Sequence, residues 1–212
     1  MISSFMEKIL ISACLIGDKT KYDGTDNKVE ELLGLLEFFE LVPFCPEMEG
    51  GLPVPRNPSE KRSSGVFSST GEDVTPQFNA GASKALRACQ FFGIRLAILK
   101  ERSPSCGVHE IYDGHFSGKA ILGEGVTAQM LRSHGIKVLN EVEAIEFLKK
   151  KIASAADHEE YLRRREEEAR QEEEKKARLR EKKPSSPHKG YSKKPFPKKK
   201  GNFGKKPYHK PS

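Results

Sequence analysis

The sequence has 212 residues, of which 36% are hydrophobic and 32% are charged, with four cysteines and no tryptophan. This length allows one sizeable domain with extensions, and the low apolar share indicates that part of the chain cannot join a packed core. No apolar run is long enough to span a membrane, and the first residues lack the apolar region of a signal peptide. We therefore expect a cytoplasmic protein with no membrane partner and with reduced thiols.

The first predicted elements alternate between strand and helix. Lys8–Ala13 is a short apolar run of β-prone residues, which predicts a strand. Leucines at three- and four-residue spacing then predict a helix over Val29–Phe39. Leu41–Cys45 is a second β-prone run, and Pro46 marks its end.

The longest predicted helix lies in the middle of the chain. Thr75 is typical of an N-cap and Pro76 of a first helical residue, and the helical pattern continues to Phe92 and ends at Gly93. The elements predicted after it are a strand at Arg95–Leu99, a helix at Gly125–His134 and a strand at Ile136–Leu139.

Strands that alternate with helices are typical of β–α–β units. We therefore expect residues 1–150 to form an α/β domain that is Rossmann-like, with three layers and a parallel sheet. A helical pattern from Glu141 to Lys182 starts with an apolar stripe and then becomes charged all round, which predicts a solvated helix over residues 151–182. Residues 183–212 contain six prolines and no aliphatic side chain, so we expect a disordered tail.

The net charge of +7 is concentrated in that tail. Residues 183–212 carry ten lysines and no acidic residue, whereas residues 1–150 carry 17 basic and 20 acidic side chains. Four aromatic residues are spaced among the lysines, namely Tyr191, Phe196, Phe203 and Tyr208. Lysines contact phosphates and aromatic rings stack on unpaired bases, so we expect the tail to bind RNA without sequence specificity. A solubilising extension is the alternative.

Three cysteines follow three predicted strands. Cys14 lies just beyond the first strand, Cys45 ends the second and Cys106 follows the third. Because ligands bind at the carboxyl ends of parallel strands, these side chains are expected to converge. Three thiolates in one place could hold an iron–sulfur cluster in which one iron lacks a protein ligand; the alternative is three unrelated buried thiols. Cys89, in the middle of a helix among apolar residues, is expected to be part of the core.

The local sequences around these cysteines carry a family resemblance. Cys14 lies in ISACLIG, Cys45 in VPFCPEMEGGLPVPR and Cys106 in LKERSPSCG, and GEDVTPQFNAGA lies between the last two. With these motifs in this order, residues 8–141 resemble the 2-thiouracil desulfurase (TudS-like) family, formerly a domain of unknown function.

The resemblance implies that Cys14, Cys45 and Cys106 bind a [4Fe–4S] cluster, which the cluster-assembly machinery of the cell would supply. It implies an enzyme that removes sulfur from thiolated pyrimidines such as thiouracil or thiouridine. The cluster iron that lacks a protein ligand would bind the substrate sulfur. Water would then replace this sulfur on the carbon, and no external electron donor would be required. Glu47 would deprotonate the water and Ser103 would hydrogen-bond the substrate. A loop carboxylate and a turn-forming serine are the structural alternatives for these two residues.

The basic tail adds a question about the substrate. Together with a desulfurase domain it suggests a thiolated nucleotide in tRNA or another RNA, since free thiouracil would not need such a segment. The competing hypothesis is a non-catalytic RNA- or ribosome-associated protein, in which the cysteine domain is a structural or sensing module.

Overall fold

A computed structural model describes residues 6–154 and 158–181, and the tail predicted over residues 183–212 lies outside them. In chain order, the described elements are β1 (Glu7–Ser12), a 3₁₀ helix (Ala13–Ile16), a second 3₁₀ helix (Glu30–Glu37), β2 (Phe39–Phe44), α1 (Pro46–Glu49), β3 (Ser59–Arg62), β4 (Gly65–Ser68), α2 (Thr75–Phe92), β5 (Leu96–Ile98), β6 (Glu110–Tyr112), β7 (Ala120–Leu122), α3 (Val126–Ser133), β8 (Lys137–Leu139), α4 (Glu141–Ser154) and α5 (His158–Glu181).

The main sheet has four parallel strands in the order β2–β1–β5–β8. All four were predicted from the sequence, and their parallel pairing confirms the α/β class. Parallel strands need crossover connections, and the second 3₁₀ helix lies in the one from β1 to β2. Because every strand runs the same way, the segments after β1, β2 and β5 emerge at one edge of the sheet.

Helices cover both faces of this sheet, as a three-layer fold requires. On one face, Leu10 of β1 packs with buried residues of α2 and α3 such as Ala85 and Leu131. On the other face, Ile9 and Ile11 pack with the second 3₁₀ helix and α4. The alternation along β1 follows from the two-residue repeat of a strand. Its residues are apolar on both faces, which is typical of a buried parallel strand.

Two details of the predicted helices were wrong. Residues 30–37 form a 3₁₀ helix instead of an α-helix, with Leu32 and Leu35, three residues apart, on its buried side, and Phe39 begins β2. At α2 the N-cap residue is Val74 and Thr75 is already helical. The Thr75 hydroxyl oxygen accepts a hydrogen bond from Val66 N at 2.8 Å, so it fastens α2 to β4 instead of capping the helix.

Two antiparallel hairpins, the first 3₁₀ helix and the short helix α1 were not predicted. The hairpins are β3–β4 and β6–β7, and α1 starts at Pro46, directly after Cys45. The strand β3 reads SEKR, without the β-branched or aromatic residues that identify strands. Both hairpins lie at the edge of the sheet where the cysteines are found, so the elements that complete the site were those without a sequence signal.

The described part of the helical pattern predicted over residues 141–182 forms α4 and α5, and residues 155–157 and 182 lie outside the described residues. The chain divides into two compact units after His158, so α5 is described by itself. Its described side chains are exposed, and Lys176 pairs with Glu172 one turn away at 2.7 Å, as predicted. None of the helices in the described ranges combines the length and apolarity needed to cross a membrane.

Candidate active site

A cavity of about 810 Å³ opens where β1, β2 and β5 end. In open α/β sheets this is the edge at which ligands bind, and the volume is within the range of small-molecule sites. The cavity wall brings together all five residues that the sequence suggested, namely Cys14, Cys45, Glu47, Ser103 and Cys106. The predicted convergence of distant cysteines is therefore present, whereas their roles remain predictions.

The first two cysteines follow their strands closely. Cys14 lies in the 3₁₀ helix after β1, and its carbonyl oxygen accepts a hydrogen bond from Asn27 N at 3.0 Å. Cys45 lies between β2 and α1, and its Sγ donates to Thr20 O at 3.8 Å. The backbone of the neighbouring loop thus helps to fix the position of each thiol.

Close backbone packing sets the position of α1, which follows Cys45. A Cβ atom added at Gly81 of α2 would overlap the carbonyl oxygen of Pro46, and one added at Gly50 would overlap the carbonyl oxygen of Gln77. Only glycine fits at these two points, so α1 can lie directly against α2. This contact holds the segment that carries Cys45 at the cavity.

Cys106 lies in the loop between β5 and β6, and Glu101 organises that loop. Its Oε1 accepts three backbone N–H groups of residues 108–110 at 2.9–3.0 Å, and its Oε2 accepts Asn140 Nδ2 at 2.6 Å. Partial burial opposes ionisation, but these donors outweigh it and lower the pKa of Glu101 to about 2. Ionised Glu101 therefore stabilises the loop at neutral pH, and this contribution is lost as the pH falls from about 4 towards 2.

Glu47 lies in a half-buried ion pair with Arg56, which the sequence did not predict. Arg56 Nε and Nη2 both donate to Glu47 Oε2, at 3.0 and 2.8 Å. The side chain of Arg56 is 7% exposed, and its other donors bond to the carbonyl oxygens of Thr20 and Pro53. The guanidinium therefore fixes Oε2, and Oε1 is left facing Ser103, whose hydroxyl donates to it at 3.4 Å.

Ser103 forms a turn and also contacts Glu47, while its role towards a substrate stays a prediction. Its hydroxyl oxygen accepts the backbone N–H groups of Ser105 and Cys106 at 3.1 and 3.0 Å, which makes it a turn-forming serine. The same hydroxyl points its proton at Glu47 Oε1. The turn that positions Cys106 is thus the feature that places a hydroxyl donor beside the carboxylate.

The thiols of Cys14 and Cys106 are held in their neutral form. Burial raises the pKa of the Cys106 thiol far above its usual value, against a hydrogen bond with Ser12, and Cys45 raises it further. Burial also raises the pKa of Cys14, and its hydrogen bond with the Asn27 side chain only partly offsets this. Since a metal binds thiolate, occupation of this site by a metal would displace protons from these cysteines.

The fourth cysteine has a different position. Cys89 is 1% exposed and packs in the core with Ala85 and Leu131, as the sequence predicted, and it does not border the cavity. Within the described ranges, no three cysteine, histidine or carboxylate side chains are arranged to hold a single metal ion. A cluster imposes a different requirement, because each thiolate binds its own iron atom.

Three comparisons bear on the identity of the chain. A family model described as 2-thiouracil desulfurase matches residues 9–143. An uncharacterised protein from Bacillus subtilis (strain 168), YbbK, is 38% identical over 150 residues, which are 66% of this chain and 99% of that protein. A solved structure named [4Fe–4S]-dependent thiouracil desulfidase TudS is 43% identical, with a TM-score of 0.65, over 70% of this chain and 99% of the other.

The matched region contains the main sheet except for the first two residues of β1, both hairpins and the five predicted site residues at the cavity. It confirms the resemblance seen in the sequence motifs. The chain belongs to the 2-thiouracil desulfurase family.

Proposed function

We propose that this chain is a [4Fe–4S]-dependent desulfurase that removes sulfur from thiolated pyrimidines. One observation carries the proposal: three thiols, a half-buried carboxylate and a serine hydroxyl border a single cavity at the carboxyl edge of a parallel sheet. The family of the chain, and the name of the related TudS structure, support the same cofactor and the same substrate class.

The donor chemistry of the cavity fits the cluster. Cys14, Cys45 and Cys106 offer three soft thiolates, the ligands that iron–sulfur clusters take in proteins. Cys89 is buried in the core, so this chain leaves one iron without a cysteine ligand. When bound, the cluster supplies a Lewis acid for the substrate sulfur, which withdraws electron density from the carbon that carries it.

Glu47 and Ser103 then act on water and substrate. Because Arg56 occupies Oε2 of Glu47, Oε1 is the oxygen that accepts the proton of the attacking water. The Ser103 hydroxyl, which bonds to Oε1 in this structure, donates to the negative charge that develops on the substrate. Overall, a thiocarbonyl and water give a carbonyl and hydrogen sulfide. No oxidation state changes, so no external electron donor is needed.

Anaerobic reconstitution of the 212-residue chain with iron and sulfide tests this function. We expect a brown protein that releases sulfide from 2-thiouracil and forms uracil in equal amount, without added reductant. The iron content per chain measures cluster loading, and the amounts of sulfide and uracil measure the release of sulfur and the formation of the product. A protein that stays colourless or binds zinc, and releases no sulfide, would favour the non-catalytic RNA-associated alternative.

We further propose that residues 183–212 bind RNA, on the strength of their ten lysines and four interspersed aromatic residues. A chain that ends at Lys182 should bind single-stranded RNA at least tenfold more weakly than the full chain, because it lacks both phosphate contacts and stacking rings. Its activity on free thiouracil should stay within about twofold.

Binding titrations of both chains at several salt concentrations measure this effect. A full-length variant with alanine at Tyr191, Phe196, Phe203 and Tyr208 separates stacking from charge, since it keeps every lysine. Equal RNA affinity of the full and shortened chains would eliminate the proposed role of the tail. If shortening also abolishes sulfide release from tRNA containing thiouridine, the tail serves to dock the substrate.

A further inference from the structure

Glu60 is a buried carboxylate at the cavity, and it is separate from Glu47 and its ion pair. Glu60 lies in β3, is 7% exposed and forms part of the cavity wall. Its Oε2 accepts the backbone N–H of Phe116 at 2.9 Å. No described residue forms a hydrogen bond to its Oε1, and this oxygen is accessible to solvent. One acceptor oxygen is therefore free at the cavity.

Basic side chains next to Glu60 do not compensate its charge. Lys61 Nζ donates to Glu124 O at 2.7 Å, and Arg62 Nε donates to Gly114 O at 2.6 Å. Among the residues that the structure describes, no cation lies within ion-pair distance of Glu60, in contrast to Glu47 and its guanidinium partner. A buried carboxylate without a cation is costly, and such groups are concentrated at binding sites.

The hydrogen bond from Phe116 links Glu60 to an aromatic ring on the same wall. Phe116 lies in the β6–β7 loop, is 36% exposed and borders the cavity. Its φ of 55° is rare for an aromatic residue. The bonds of Glu60 to Phe116 and of Arg62 to Gly114 hold this loop on β3, with further support inside the loop where Asp113 accepts Ser117 Oγ at 2.6 Å. A flat ring and a free acceptor thus share one wall.

We propose that Glu60 and Phe116 form the subsite that recognises the pyrimidine ring, with Glu60 Oε1 accepting a ring N–H next to the thiocarbonyl and Phe116 stacking on the ring. This proposal rests on the proposed function, since it names what that cavity selects. In 2-thiouracil the carbon that bears sulfur is flanked by two N–H groups, so one bond to Glu60 also orients the thiocarbonyl. The site therefore selects cyclic thioureas and thioamides that keep this N–H.

The test is a double-mutant-type cycle that pairs a change in one side chain with a change in one ligand atom. Binding is measured by calorimetry on the reconstituted 212-residue chain. Uracil serves as the probe because it has the same ring N–H groups and does not react. Wild type and Glu60→Gln are each titrated with uracil, 1-methyluracil and 3-methyluracil. Glutamine has a single acceptor oxygen for both the Phe116 N–H and the ligand N–H. One of these two N–H groups must therefore face the NH₂ group of glutamine, which is also a donor.

We expect Glu60→Gln to weaken uracil binding by about 10- to 100-fold, the effect of losing a hydrogen bond to a charged group. Wild type should bind either 1-methyluracil or 3-methyluracil more weakly than uracil by a similar factor. In Glu60→Gln the same methyl group should have little further effect, because methylation and the substitution remove the same hydrogen bond. Phe116→Ala, which keeps the backbone N–H, should lower the binding affinity of all three ligands by the same factor. Rejection of 1-methyluracil would exclude nucleosides as substrates, whereas rejection of 3-methyluracil would admit them.

Unchanged uracil binding by Glu60→Gln, or a methyl effect equally large in both proteins, would overturn the proposal. If the variant fails to fold or to load iron, the ligands decide on wild type alone: equal affinity for all three uracils rules out recognition of a ring N–H. Failure of the proposed function is a separate result, because a wild-type protein without cluster or sulfide release would be seen before this cycle begins.

Discussion

Replacement of Cys106 by serine is expected to abolish both the brown colour and sulfide release of the reconstituted protein. The residue is 5% exposed at the cavity, and serine offers a hard oxygen donor in place of a soft thiolate. Cys14→Ser and Cys45→Ser should have the same effect, since two thiolates and an alcohol do not match the three-cysteine site. Iron per chain and the visible absorbance of the cluster measure the loss directly.

Cys89→Ala is the matched control for these variants. Its thiol is buried in the core, and the pKa of the thiol is raised to about 11 by burial alone. We expect this variant to load iron and release sulfide like wild type, with a loss of about 1 kcal/mol in the free energy of unfolding. A Cys106→Ser protein with full iron content, or a Cys89→Ala protein without iron, would contradict the assignment of ligands.

Glu47→Gln is expected to lower kcat by about 10²- to 10⁴-fold, the usual contribution of general base catalysis. Glutamine has the same size, and its amide oxygen can still accept Arg56, but it cannot take a proton from water. Iron content should not change, because Glu47 is not a proposed ligand. Steady-state rates of sulfide release from 2-thiouracil give kcat and KM separately.

Glu49→Gln provides the control for charge and helix position. Glu49 lies on the same short helix, α1, and its substitution removes the same charge. It is exposed and does not border the cavity. We expect its kcat to stay within about twofold of wild type. If Glu47→Gln retains comparable activity while fully loaded with iron, the water must be activated by another group.

The sequence was sufficient for the parts of the fold that have a periodic apolar signal. Strands such as Lys8–Ala13 are recognisable because apolar β-prone residues must be buried between two layers of helices. The cysteines could also be placed, since residues that follow parallel strands meet at one edge. Cys14 and Cys45 follow their strands so closely that the convergence needed no information on side-chain packing.

The partners of the site residues could not be predicted in this way. Arg56 lies in a Pro- and Gly-rich loop nine residues after Glu47, and no periodicity relates the two. Glu60 belongs to a polar hairpin strand that lacks an apolar pattern, and its link to Phe116 spans 56 residues of sequence. Such pairs depend on how irregular loops pack against each other, and hydropathy patterns carry no information about that packing.

The three proposed ligands have a consequence for the order of events in the cell. Each thiol comes from a different β–α segment, so no fragment of the nascent chain that ends before the loop after β5 contains the whole set. Assembly of a cluster on these three thiols would therefore follow synthesis of the chain through the loop after β5. The bound cluster would link segments that are remote in sequence, and its binding free energy would add to the free energy of unfolding.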